Sequence, residues 1–225
     1  MNFLNLKYFF LAVVLCFCSI GFAQTKEEQV QKTSLGVAIE PLFLARSITK
    51  LDIEYKPKKH LFSYIVSPEI ASGTVYDQAL FSWDRNPSED HLKGFGIGLF
   101  QKISAKVKSK TIPYLAYGLT YRKNTISYDD EGFVPYTKEN LSFYEYRRYN
   151  DDLKIETYLI SLLSGVQITG SSKIQCDVYG GFGYKSSKKS SMIIEGKRNY
   201  NHSFSDYAYN GFIFQLGVRF GYKIL

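Results

Sequence analysis

The side chains in this 225-residue chain that could do chemistry are acids and bases set between apolar or glycine neighbours. The acids are Glu40, Asp52, Glu54, Glu69 and Asp177, and the bases are Lys102, Arg122, Arg219 and Lys223. Paired carboxylates can run general acid–base catalysis. Acids that share a closed space with bases form ion pairs instead, because an unpaired buried charge costs several kcal/mol. The mixture of signs predicts a structural ion network and no catalytic pair. His202, with Ser203, Ser205 and Asp206, offers the residue types of nucleophilic hydrolysis. Triads are recognised by geometry, and side chains this close in sequence read as a solvated loop. His60 falls in a turn and His91 at a loop edge, so both read as exposed. A third group, Tyr144, Tyr146, Arg147, Arg148 and Tyr149, combines residue types that anchor interfaces. It reads either as a contact surface or as two strands continuing in a stiff hairpin. No glycine-rich phosphate loop, zinc-like spacing or calcium-loop pattern occurs, so neither metal nor cofactor is expected.

These residues are positioned by alternation. From Gly211 to Leu225, Phe212, Phe214, Leu216, Val218, Phe220, Tyr222 and Ile224 take every second place. Gly211, Gln215, Gly217, Arg219, Gly221 and Lys223 take most of the places between. A period of two makes a strand with one apolar face and one small or charged face. The pattern recurs at 35–43, 51–56, 62–70, 95–99, 115–122, 157–168 and 174–185. Eight strands are therefore expected, the first running through Phe43. A soluble barrel would bury its apolar set inside. Here that set is large and aromatic on nearly every strand, while glycines 36, 94, 96, 98, 118, 181, 183, 217 and 221 share the charged face. Only the glycine face leaves room for Phe100, Tyr114 and Tyr179 inside a narrow ring.

The connections sort into two kinds. Turns at 57–60, 106–113 and 170–173 are short, whereas 75–92, 129–153 and 186–210 are long. That asymmetry predicts short turns on one side of a membrane and long loops on the other. Residues 1–23 read as a secretory signal cleaved after Ala23, and 24–32 as a polar tail, leaving 33–225 as one barrel. Cys16 and Cys18 leave with the signal, so Cys176 is the single mature thiol and no internal disulfide can form. The formal charge of +7 is spread over turns and loops, so nucleic acid is not expected as a partner. Lys56, Lys58, Lys59, Lys106, Lys108, Lys110 and Lys173 gather at the short-turn side, where anionic lipid headgroups are a natural partner.

Gln215, Gly217, Phe220 and Tyr222 resemble the C-terminal assembly signal of Gram-negative outer-membrane proteins, although Lys223, Ile224 and Leu225 come after the last aromatic. The resemblance implies insertion by the barrel-assembly machinery. The whole pattern from residue 33 resembles the small eight-stranded outer-membrane barrels of the OmpA/OmpX type, without the peptidoglycan-binding domain of the OmpA subgroup. That resemblance implies an all-β, antiparallel, up-and-down transmembrane barrel in the outer membrane, reached through the periplasm. Its expected role is non-enzymatic, as a loop-presenting protein or a subunit of an envelope complex with a protein partner at its loops. An outer-leaflet lipid-modifying enzyme and a small-solute channel are the alternatives.

Overall fold

The computed structural model describes residues 33–58, 60–75, 90–105, 109–169, 173–191 and 200–224. The expected signal and tail lie outside these residues. The eight strands are β1 (Ser34–Ile39), β2 (Ile48–Lys56), β3 (Phe62–Val75), β4 (Asp90–Ser104), β5 (Thr111–Lys138), β6 (Leu141–Thr169), β7 (Ile174–Ser190) and β8 (Gly211–Lys223). Each pairs antiparallel with its sequence neighbours, and β8 closes the ring on β1 from Gly36↔Lys223 to Ile39↔Phe220. The expected topology is the observed one.

The barrel is apolar outside. Leu51, Ile53, Tyr64, Val66, Phe95, Ile97, Leu99, Leu119, Ile160, Leu162, Phe182, Phe214 and Leu216 are all exposed. Their neighbours one position away point inward, so a single-residue slip on any strand would exchange the two faces. Cross-strand ring pairs cover part of the outer surface, including Tyr121–Tyr158, Phe182–Phe214 and Tyr184–Phe212.

Two expectations need correction, and an open alternative is decided. The first strand does not reach Phe43: Pro41–Arg46 is a 3-10 turn. Pro41 has no N–H to give the ladder, and Ser47 beyond it turns left-handed at φ 54. Phe43 therefore swings inward among buried residues, away from lipid. Next, β4 starts at Asp90, so Leu92 belongs to a strand with its side chain buried, not to a loop. At 129–153 the stiff hairpin, one of the two readings of this stretch, is the observed one. β5 and β6 run on as a paired hairpin to Lys138↔Leu141. Glu139 and Asn140 make the bend, both at positive φ, as a two-residue turn matched to strand twist requires.

The strand phase is testable at adjacent positions of β8. Val218 faces outward and Arg219 is buried at 3 % exposure. Val218→Arg should cost about 2–4 kcal/mol of folding free energy in lipid, as a cation on the lipid face does. Arg219→Lys should cost less, since the positive charge stays inside. Urea unfolding in lipid vesicles measures both, and the reverse order would invert the phase.

Candidate functional site

Inside the ring the charged side chains meet in layers. Nearest the β8 C-terminal end, Lys102 is wholly buried, with Asp177 Oδ2 at 3.2 Å and Glu54 Oε2 at 3.3 Å. Ser63 donates to the other Glu54 oxygen at 2.6 Å, and the Tyr114 ring lies 4.3 Å from the ammonium. In the next layer Arg219 Nε stands 3.1 Å from Asp52 Oδ2, with its guanidinium 4.4 Å from the Tyr179 ring. Ser67 donates to Asp52 Oδ1 at 2.5 Å. Lys50 joins this layer, 2.8 Å from Glu40 Oε2 and 3.7 Å from Asp52. The Tyr179 hydroxyl donates to the other oxygen of Glu40. Above, Arg122 grips Glu69 with two bonds, Nε at 2.5 Å and Nη2 at 3.1 Å.

The glycines make this packing possible. A Cβ on Gly217 would sit 2.2 Å from the Tyr179 ring, and one on Gly118 would sit 2.4 Å from the Phe100 ring. Gly165 does the same for Tyr114, a role hidden in the sequence because strand 157–168 is apolar on both faces.

Of the residues expected in the network, Glu40, Asp52, Glu54, Glu69, Lys102, Arg122, Asp177 and Arg219 come together. Lys223 does not. It lines the mouth at the end of β8 and pairs with no carboxylate among the described residues. The expectation that every inward charge pairs is corrected there, because the mouth is open to water and a cation need not be neutralised. Lys50 is the network member that sequence reasoning missed, though its phase with Asp52 and Glu54 marks it as inward.

The far end is covered. Arg46 donates to the Ser205 carbonyl, Lys185 to the Asp206 carbonyl, and Tyr207 Oη to the Arg46 carbonyl at 2.5 Å. The 3-10 turn and residues 203–209 thus interlock across the barrel. Burial raises the Tyr207 phenol above its ordinary value, so it stays a donor. Within the loop, Ser203 N–H and Oγ both donate to Asp206, at 2.8 and 3.0 Å. Asp206 shapes its own turn, and His202 is exposed. Beyond the cover lies an apolar core of Ile48, Ala71, Val75, Leu92, Ile126, Tyr128, Val134, Tyr149, Leu153, Ile155, Tyr200 and Ala208.

That core takes Tyr149 away from the expected contact surface, at 7 % exposure. Its side chain falls on the inward face of β6, opposite to Tyr144 and Tyr146, which are 70 % and 62 % exposed. Arg147 and Arg148 are exposed as well. Outward above Tyr121–Tyr158 runs a polar ladder. Lys123 pairs with Glu156 at 3.4 Å, Ser127 donates to Asp152 at 2.6 Å, and Asn150 donates to Asp129 at 2.9 Å. Aromatics then return at the tip, with Phe133 edge-on to Tyr146 at 5.3 Å and Tyr136 stacked on Phe143 at 5.5 Å.

In the last strand, Gln215 bonds Ser161 inside at 2.9 Å, Gly217 makes room for Tyr179, and Phe220 and Tyr222 face outward. No set of three His, Cys, Asp or Glu side chains suited to a metal occurs among the described residues.

An outward apolar wall around a charged, filled lumen defines a membrane-spanning β-barrel of eight strands. No family model and no curated protein matches the chain. Among solved structures it is similar to a major outer membrane protein from Thermus thermophilus, at 12 % identity and a TM-score of 0.45, over 86 % of this chain and 98 % of that one.

The network sets a stability test. Lys102→Met leaves Glu54 and Asp177 buried without their cation and should destabilise by about 3–5 kcal/mol. Adding Asp177→Asn should recover part of that loss, because the coupling is between those groups. Equal effects of the single and double variants in urea unfolding would remove Lys102 from the network.

Proposed function

We propose that the chain is an outer-membrane barrel without enzymatic activity that holds the β5–β6 hairpin out from the cell as a contact surface. The observation that carries this reading is the outward face of the hairpin. The apolar belt gives way at Lys123–Glu156 to paired polar residues, and aromatics reappear only at the tip. The Phe133–Tyr146 pair lies 12 ladder positions past Tyr121–Tyr158, roughly 40 Å of strand at about 3.3 Å per residue. Rings so far from lipid, exposed and lifted on a polar stalk, have the character of interface anchors.

The supporting features are consistent. With the start of β1 and the end of β8 on the short-turn side, the strands suit a barrel whose long loops face outward, and the eight strands with a filled lumen suit the OmpA/OmpX type. Secretion through the periplasm and insertion by the assembly machinery, guided by Gln215, Gly217, Phe220 and Tyr222, belong to the same proposal. Residues 129–152 carry seven acids and three bases, which disfavours nucleic acid and favours a protein partner as the stalk's target.

Site-specific photo-crosslinking in intact cells tests this. A crosslinker at Tyr144 or Tyr146 should give a discrete adduct, while one at Thr125, low on the stalk, should not. The absence of a discrete adduct at the tip, or an identical pattern at all three sites, would contradict the proposal.

A further inference from the structure

At the end of the barrel opposite the hairpin, the lumen opens into a cavity of about 60 Å³ lined by Ser34, Gly36, Glu54, Lys56, Ser104, Ile112, Gln167, Gln175 and Lys223. Two of these are lysines, placed on either side of the same short strand. Lys56 pairs with Ser34 from β2, and Lys223 pairs with Gly36 from β8. Gly36 adds no side chain between them, and the space where a Cβ would stand meets its nearest side chain only at 3.5 Å, the Gln175 amide nitrogen.

Among the described residues, the one carboxylate lining this cavity is already engaged. Glu54 Oε1 accepts from Ser63 at 2.6 Å and Oε2 from Lys102 at 3.3 Å. No salt bridge to Lys56 or Lys223 occurs among the described residues. Gln167 donates its amide N–H to the Gln175 oxygen at 2.9 Å, which leaves the Gln175 nitrogen as a donor over Gly36. The lining thus sets the donors of Lys56, Lys223 and Gln175 against neutral acceptors only, the Gln167 amide oxygen and the hydroxyls of Ser34 and Ser104, which also donate. Two like charges that converge on one space are stabilised by an anion between them.

We propose that this mouth is a binding site for a small oxyanion of the phosphate class, held between Lys56 and Lys223 with donors from Gln175, Ser34 and Ser104. The volume selects the class. A water needs about 10–15 Å³ of such space, so the cavity holds a group of about four or five heavy atoms, the size of phosphate and well below a nucleotide. Free phosphate and a phosphate ester share that chemistry. With the hairpin held out from the cell, the mouth opens to the periplasm, but the site itself does not depend on that orientation.

The test is calorimetric titration of the purified, folded barrel in micelles with inorganic phosphate, at ionic strength held constant with sodium chloride. Saturable binding at a single site is expected. Lys56→Gln and Lys223→Gln should each weaken it about tenfold, the loss of one charge-assisted hydrogen bond. Lys58→Gln, an exposed lysine of the neighbouring turn, should leave it unchanged. Heat-dependent gel migration verifies folding of each variant. A second measurement needs no variant: phosphate should raise the unfolding temperature of the parent above that in chloride of equal ionic strength. Displacement of phosphate by glycerol phosphate would assign the site to esters, and failure to displace would assign it to the free ion. Absence of saturable binding, or equal weakening by Lys58→Gln, would overturn the proposal.

Discussion

A ring of eight strands that turns its apolar side chains outward has nowhere to put its charges but a lumen barely wide enough for side chains. Everything else in the structure answers that constraint. Each cation in the middle of the barrel sits against a carboxylate: Lys102 with Asp177 and Glu54, Arg219 with Asp52, Arg122 with Glu69. Tyrosine rings close the remaining space beside the cations, and glycines on facing strands let those rings lie flat against backbone. Such pairs do not have to add net stability to matter. Removing one partner is costly, so the set fixes register and closure together.

The same constraint relaxes at the two ends, and the ends differ. Beyond the Arg122–Glu69 layer the barrel is shut by its own chain, through Arg46, Lys185 and Tyr207. Past that cover, the inward faces of the strands become apolar and build a second core around Tyr128, Tyr149 and Tyr200. That core braces the lower half of the hairpin, and its outer face is free to be polar. At the other end a small cluster of Ile65, Phe100, Tyr114, Ala116, Leu163 and Tyr179 packs beside the ion pairs, and Lys56 and Lys223 remain beside a cavity.

The fold was legible because period two is a strong signal when one face is aromatic and the other is glycine, as in 94–99 and 211–222. The inward set followed from phase alone, including eight of the nine charged residues named for the network. Phase failed where the backbone left the ladder. Pro41 ended β1 early, and Phe43 changed sides. It also failed at 90–92, which read as loop and belong to β4. Asp129, Asn150 and Arg148 are polar enough for a loop or a hairpin, and they form the cross-strand stalk of the hairpin. Polarity marks solvent, and a strand beyond the membrane is solvated on its outer face. Tyr149 escaped for the same reason: nothing in the sequence announces an apolar core above the charged layers. Lys50 was within reach of the phase argument, but the irregular stretch around Arg46 hid the start of β2.

Paired side chains and the interlocked cover close this lumen. Electrical recording of the purified barrel in planar bilayers measures it most directly. A closed lumen passes no steady ionic current at moderate voltage in neutral buffered salt. A stable, large single-channel conductance would show an open water path through the layers of Lys102, Arg219 and Arg122, and would contradict it.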